Sequence, residues 1–353
     1  MSNTYGNKLK ITVFGQSHSP AIGVVIDGFP SGVKVDKEFI ASFMARRAPG
    51  QNLTTPRIEK DAPKFISGLN ADGVTCGAPI CAIIENTNVR SGDYSNIALT
   101  PRPSHSDYTS LLKYGESRDL RGGGQFSGRL TAPLCIAGAL ALLYLKDRGI
   151  KIGAHLSSVG GKKDDFYDLV DDIIPDNTNG FPAINLEKAK LMQTEIQSAR
   201  ADGDSVGSTV ECKITGVPSG LGEPMFDGME NRLAQMMFAI PAVKGFEVGS
   251  GFCVSEKRGS ENNDALTVSE GRVKTVTNNS GGINGGITNG MPIVFKVAFK
   301  PTPSISKPQR SVNLQTLTEQ TLEIRGRHDP CIGVRAVPVV EACSALVILD
   351  SIL

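Results

Sequence analysis

Val25-Ile26-Asp27-Gly28-Phe29-Pro30-Ser31-Gly32 is echoed by Lys213-Ile214-Thr215-Gly216-Val217-Pro218-Ser219-Gly220. Each copy ends an apolar run that reads as a strand, then turns on Gly, Pro and a second Gly. Each is followed by an amphipathic helical stretch, residues 39–47 in the first copy and 229–238 in the second. Breakers close both helices, Ala48-Pro49-Gly50 and Pro241-Ala242-Val243-Lys244-Gly245. Either two Pro/Gly turns match by chance, or the chain is built from two repeated α/β halves. No low-complexity linker separates them, so we expect one domain over residues 1–353, with halves of roughly 1–200 and 201–353.

Working outward from the repeat, residues 9–14, 23–26, 79–84, 210–214 and 293–299 read as strands. Asp36 is positioned to cap a helix over 37–47, and Ser127 one over 128–148 that stops at Gly149. Residues 187–200 and 339–352 read as two more helices. The stretch 51–126 is dominated by turn residues.

Hydrophobic residues make up 40% and charged residues 21% of the chain, as in ordinary soluble proteins. Lys+Arg total 37 against Asp+Glu 36, so no global field favours nucleic acid or membrane. The arginines are nevertheless grouped: Arg46, Arg47, Arg57, Arg102, Arg118, Arg121, Arg129, Arg325, Arg327 and Arg335 lie in Gly/Pro-rich stretches, while 164–176 is acidic. This is either a solvated loop beside scattered surface arginines or a real local asymmetry. Seven dispersed cysteines without CxxC or zinc spacing predict reduced thiols, a cytoplasmic protein and no metal site. The polar start, 1–10, does not read as a signal peptide, and the longest apolar run, 132–145, is too short to span a membrane.

Three of four histidines, His18, His105 and His328, sit in Gly/Pro/Ser-rich loops, two of them beside arginines; imidazoles so placed are candidate acids toward a phosphate. His155 lacks such company and reads as structural. Arg118-Asp119-Leu120-Arg121-Gly122-Gly123-Gly124-Gln125-Phe126-Ser127-Gly128-Arg129 combines close-approach glycines with a helix start, which suits an anion. It is neither a P-loop, since Arg129-Leu130 replaces Lys-Ser/Thr, nor a GxGxxG fingerprint, since Ser127 stands at the last Gly. A second Gly cluster, 281–286, precedes the strand at 293–299, and Lys300-Pro301-Thr302-Pro303-Ser304-Ile305 follows it as either a rigid phosphate-holding loop or an edge-strand exit. Asp329, beside His328 and Arg327, is a candidate base; Asp107, near His105, is either a second base or an orienting group.

In stretches 14–32, 46–50, 102–107, 113–131, 281–290, 300–305 and 326–341 the chain resembles the chorismate synthases, over essentially its whole length. The resemblance implies a β-α-β sandwich with an internal pseudo-two-fold repeat, usually as a homotetramer. It implies a lyase that eliminates phosphate from 5-enolpyruvylshikimate-3-phosphate, with reduced FMN as cofactor and NADPH as a candidate reductant. By position, His105 matches the residue taken to protonate the leaving phosphate, His18 the one assisting at the flavin, and Asp329 the one completing proton removal through it. Gln125, Phe126, Ser127, Pro241, Ala242, Gly285, Lys300, Pro301, Thr302, Pro303, Ser304 and Arg327 match the FMN site. Arg47 matches a position associated with pyridine nucleotide or substrate, and Arg46, Arg129 and Arg335 are assigned to substrate. Departures from the commonest family pattern are Gln16, Ser19, Leu53, Ser104, Ser106, Gln125-Phe126 and Pro241. Two rival readings are a module that binds RNA or a nucleotide and an NADPH-dependent flavin reductase. The first is opposed by the balanced charge and the missing RNP-like motif, the second by the missing dinucleotide fingerprint.

Overall fold

The repeat is visible in the order of the elements. The computed structural model describes residues 3–50, 53–54, 61–86, 99–175, 180–269, 271–324 and 328–353. The chain begins with β1 (Thr4–Tyr5), β2 (Lys10–Gly15), β3 (Ala21–Asp27), helix α1 (Lys37–Arg47), β4 (Lys64–Ser67), β5 (Ile80–Glu85), α2 (Asp107–Tyr114) and α3 (Thr131–Lys146). It continues with β6 (Lys151–Val159), β7 (Lys162–Lys163), α4 (Leu186–Ala201), β8 (Ser208–Thr215), α5 (Met229–Phe238), β9 (Val243–Val248) and the short α6 (Gly259–Asn262). Two hairpins follow, β10–β11 (Leu266–Ser269, Arg272–Thr275) and β12–β13 (Ile283–Asn284, Ile287–Thr288). The last elements are β14 (Ile293–Phe299), the hairpin β15–β16 (Gln309–Asn313, Thr318–Leu322) and α7 (Gly333–Ile352).

Two antiparallel five-stranded sheets result, ordered β1-β2-β3-β5-β4 and β7-β6-β8-β14-β9. The series β2-β3-α1-β4-β5-α3 and β6-β8-α5-β9-β14-α7 therefore fill equivalent places in the two sheets. The boundary lies between α3 and β6, near residue 150, and not near 200, because β6 is hydrogen-bonded to β8 in the second sheet. The echo at the β3 and β8 turns marks only the second strand of each half, so the first strand of the second half was assigned to the wrong side.

Helices α3 and α7 are apolar on all sides, which forces burial on all sides. They pack on each other, α3 also against β3 and β5, and α7 against β6 and β8, so a helical layer lies between the sheets. Asp36 caps α1 as expected, its carboxylate accepting from Phe39 N at 2.9 Å. Ser127 instead caps a single 3-10 turn over Gly128–Leu130, ahead of α3. Helix α7 begins before Pro338, whose missing N–H interrupts only the early part of a well-buried helix.

Strand β8 is buried along nearly its whole length, on both faces. Its outer face is covered by the acidic stretch after β7. Lys213, fully buried, donates to the carbonyls of Asp168 (2.7 Å) and Ile173 (3.0 Å) and pairs with Asp171. His155 lies between Asp164 (3.2 Å) and Glu211 (3.0 Å). The acidic residues thus serve the second sheet's outer surface.

Burial works against a charged His155, but its hydrogen bonds to Asp164 and Glu211 outweigh that and raise its pKa above the usual value. The folded state then holds this proton more tightly than the unfolded chain. Its stabilisation is complete below about pH 6.5 and is lost as pH rises through the higher folded pKa. Denaturant unfolding of the wild type is expected to show this loss on the alkaline side of pH 6.5. The variant His155→Gln should lack that slope and be less stable at pH 6 by roughly 3 kcal/mol, the order seen when one member of a buried charged set is removed. Equal slopes in the two proteins would show that His155 is not charged in the fold.

Candidate active site

Loops from both halves meet at one end of the sandwich and enclose a cavity of about 1270 Å³. The turn after β2 supplies His18. Its shape comes from Ser19, whose hydroxyl accepts from Gln16 N (2.8 Å) and donates to Ala21 O (2.7 Å). Ser17 N donates to Gly124 O at 3.1 Å, which ties this turn to the glycine triplet.

That triplet is conformationally required. Gly122 has φ +66°, and a Cβ there would lie 2.7 Å from Ser17 Oγ and 2.8 Å from His18 Nε2. Gly123 has φ +110°, and its Cβ would reach the His105 ring at 3.5 Å. Two adjacent glycines thus bring backbone against both expected histidines. Ser104, where the family pattern has Gly, also adopts a left-handed φ of 58°.

The loop before α2 supplies His105 and Arg102. Arg102 grips Asp107 through Nε (2.7 Å) and NH2 (2.8 Å), and donates from NH1 to Ser304 Oγ at 3.1 Å. Asp107 in turn lies 2.6 Å from His105 Nδ1. Burial lowers the His105 pKa below its usual value; Asp107 opposes the shift and Arg102 adds to it. Burial alone would raise the Asp107 pKa, but bonds from Arg102 and His105 hold it well below the usual carboxylate range.

On the other wall, Asp61 is shared by Arg47 and Arg129. Arg47 also donates to Thr131 Oγ1 (3.1 Å), and Arg129 to Asn86 Oδ1 (3.2 Å). Arg335 donates to Asp329 Oδ2 (2.7 Å) and to the Arg47 carbonyl (2.9 Å). Lys300 donates to Ser104 O at 2.9 Å, and its pKa is lowered by burial and then by Lys244.

The cavity lining includes His18, His105, Asp329, Arg47, Gln125, Phe126, Ser127, Pro241, Ala242, Lys300, Thr302, Pro303, Ser304, Arg129 and Arg335 of the residues expected from sequence. Arg46, Gly285 and Pro301 are not among its lining. Arg46 makes a two-pronged ion pair with Glu341 (2.6 and 2.8 Å) that ties α1 to α7. Gly285 sits between β12 and β13, and Arg327 lies outside the described residues. Sequence reasoning missed Asp61 and Asn86. Nothing local marked them, since they act through arginines distant in the chain.

Against known proteins, residues 9–353 match the family model described as chorismate synthase. The chain belongs to the chorismate synthase family. It is 42% identical to a chorismate synthase of Lancefieldella parvula, covering 100% of this chain and 96% of that protein. It is 44% identical to one of Korarchaeum cryptofilum (99% and 97%) and 47% identical to one of Phocaeicola vulgatus (99% and 97%). A crystal structure of a chorismate synthase superposes with a TM-score of 0.75 at 28% identity, covering 99% of this chain and 92% of that one. A chorismate synthase is a lyase of aromatic amino acid biosynthesis, forming chorismate from 5-enolpyruvylshikimate-3-phosphate by loss of phosphate. The helical β-α-β sandwich described above is that family's fold.

Gly122→Ala and Gly161→Ala separate backbone strain from crowding. Both positions have positive φ, so each substitution should cost about 1–2 kcal/mol of stability. A Cβ at Gly161 meets nothing within 4 Å, whereas one at Gly122 meets His18. Turnover per folded enzyme should fall at least about tenfold in Gly122→Ala only, the order of one hydrogen bond's misplacement. An equal effect on turnover in both would show that His18 placement does not depend on Gly122.

Proposed function

We propose that this cavity binds 5-enolpyruvylshikimate-3-phosphate beside reduced FMN, with His105 as proton donor to the leaving phosphate and Asp329 as acceptor of the ring proton. The observation that carries the reading is the charge of the lining. Among the described residues, Arg47, Lys64, Arg102, Arg129, Lys244, Lys300 and Arg335 line the cavity with Asp61, Glu85 and Asp329, and Asp107 pairs with Arg102 behind the lining, which leaves an excess of three positive charges. The whole chain has a net charge of only +1, so this excess is local. A substrate with a phosphate and two carboxylates needs such convergence, and arginine suits it through paired N–H bonds.

The residues present fit the cofactor. The cavity exceeds the usual range for one small ligand, about 300–1,000 Å³, and so admits a flavin with a substrate. Thr302 Oγ1 is buried beside it without a hydrogen-bond partner among the described residues, and the half-exposed Phe126 offers an aromatic face. Thr302, Ser304, Lys300, Gln125, Ser127, Pro241 and Ala242 would hold the group. Reduced FMN, when bound, supplies electron density as the C–O bond breaks and is not consumed overall.

The protein's own part is binding, orientation and proton handling. His105 Nε2 delivers a proton to a phosphate oxygen as negative charge develops there, and Arg102 and Arg129 stabilise that charge. Asp329 Oδ2 is held by Arg335, which orients the carboxylate as a base. His18, against Gly122, holds a proton toward the cofactor. Arg47 is buried against Asp61 and Thr131, which favours a substrate role over contact with NADPH; NADPH as electron source is the finer part of this proposal.

A cytoplasmic location is supported by seven free thiols. One helical stretch, Gly128–Lys146, is apolar and long enough to cross a membrane by composition, but 61% of that window is buried in the fold. Association of copies is supported by apolar side chains exposed on β10–β11, Leu266 (76%), Val268 (74%) and Val273 (66%); for the homotetramer that the family resemblance implies, light scattering is expected to give four times the chain mass.

Phosphate release from 5-enolpyruvylshikimate-3-phosphate is to be followed anaerobically with FMN and dithionite, and again without FMN. Release should require the flavin. His105→Ala and Asp329→Asn should each slow it by about 10²–10⁴-fold, the usual worth of general acid–base catalysis. Flavin-independent release, or full turnover in both variants, would remove the assignment.

A further inference from the structure

The carboxylate beside His105 lies behind the cavity lining and is bonded on both oxygens. Asp107 Oδ2 accepts from Arg102 Nε (2.7 Å) and from Arg102 backbone N (3.0 Å). Its Oδ1 accepts from Arg102 NH2 (2.8 Å) and lies 2.6 Å from His105 Nδ1. Asp107 starts α2, Arg102 bonds Ser304 across the cavity, and His105 lies between them in sequence, so the group is rigid.

These contacts decide where the His105 proton sits. Arg102 NH2 is 3.1 Å from His105 Nδ1 and could donate to it only if that nitrogen lacked a proton. The shorter contact, 2.6 Å, is to an ionised carboxylate and requires a proton on Nδ1. Arg102 Nη2 gives one of its two protons to Asp107 Oδ1, and its other proton could reach Nδ1 only at the longer distance, whereas an unprotonated Nδ1 would face a carboxylate oxygen at 2.6 Å with no proton between them. The Nδ1–H form wins, and Nε2 is left as the titrating nitrogen.

We propose that Asp107 is a positioning residue that keeps the proton on His105 Nδ1, so that the second proton, on Nε2, is the one passed to the leaving phosphate. This rests on the reading of His105 as the acid. The step balances simply: the Nε2–H bond breaks, an O–H bond forms on phosphate, and the ring returns to its neutral Nδ1–H form with Asp107 ionised throughout. The groups that bear on the ring are Asp107, Arg102 and Lys300, with Gly123 backbone beside it. Burial, Arg102 and Lys300 disfavour the imidazolium and Asp107 favours it, and a phosphate beside the ring would favour it further, so the acid forms where the leaving group is.

Asn at position 107 tests this. Arg102 would pin the amide oxygen at the Oδ2 position and turn the amide NH2 toward His105 Nδ1, which then must accept and cannot carry its proton. In anaerobic turnover with prereduced FMN, Asp107→Asn should lower kcat by about 10²-fold or more, with KM changed less than about threefold. The alkaline limb of its pH profile, where the acid loses its proton and which is assigned by comparison with His105→Ala, should disappear. If His105→Ala is slow and Asp107→Asn turns over normally, the positioning role falls and the acid role stands. If His105→Ala turns over normally, both fall. Nitrogen NMR of the folded wild type gives a reading independent of any variant's folding: neutral His105 should carry its proton on Nδ1, and a proton on Nε2 instead would overturn the proposal.

Discussion

The closest approach in the helical layer fixes the dimensions of everything around it. A Cβ built on Gly138 of α3 would sit 2.3 Å from the Ala342 Cβ and 2.4 Å from its Cα in α7. No side chain fits there, so the two helices cross backbone to backbone. Each is the last helix of its half, and each carries its own sheet. The Gly138–Ala342 contact therefore sets the spacing between the sheets. It also sets the width of the cavity, because Thr131 at the start of α3 and Ile332, Arg335, Ala336 and Val339 near the start of α7 line it. Forcing even one methylene into such packing costs about 1–3 kcal/mol and shifts backbone. Here that shift would be passed directly to Arg335 and Asp329.

The pseudo-symmetry explains why one cavity collects so many cations from distant stretches. The segment between β5 and α3 supplies Asn86, Arg102, His105 and Gly122, and the equivalent segment between β14 and α7 supplies Lys300, Thr302, Ser304 and Asp329. The segment after α1 supplies Asp61, and its counterpart after α5 supplies Pro241, Ala242 and Lys244. Equivalent loops face one another at the same end of the sandwich. They have diverged, the first set toward arginine and histidine, the second toward lysine, hydroxyls and a carboxylate, so a pseudo-symmetric frame holds an asymmetric site.

Much of this could be read in the chain, and the misses have a common cause. Helix α1 was legible because its cap is local: Asp36 and Phe39 are three residues apart. The glycine triplet and the loop histidines were legible because their composition is incompatible with a helix or strand interior. Features made by distant pairing were not. Strand β6 carries nothing in its own sequence that says it pairs with β8. Arg46 and Arg47 are neighbours on α1, yet one is spent on Glu341 as a structural tie and the other faces the cavity, a difference set by helix orientation. The acidic stretch after β7 read as either a solvated loop or half of a local asymmetry; its carboxylates instead serve Lys213 and His155, buried partners 42 residues ahead of Asp171 and 9 behind Asp164.

The excess of positive charge in the cavity has an energetic consequence for the fold. Asp61 lies between Arg47 and Arg129 and offsets part of their repulsion, but it is one carboxylate shared by two guanidinium groups. Arg47 feels the remainder: burial first, and then repulsion from Arg335, push its pKa down to about 10. In a site arranged this way the cations are held together by packing and by Asp61, Asp107 and Asp329. The arrangement is useful because donors fixed in advance need no reorganisation when charge develops on the phosphate. The same fixed cations make an anionic ligand part of the folded state's stability, because whatever binds only the folded form shifts the folding equilibrium by mass action. Catalytic preorganisation and ligand-dependent stability thus arise from one set of arginines, held apart from the acidic strap on the far face of the second sheet.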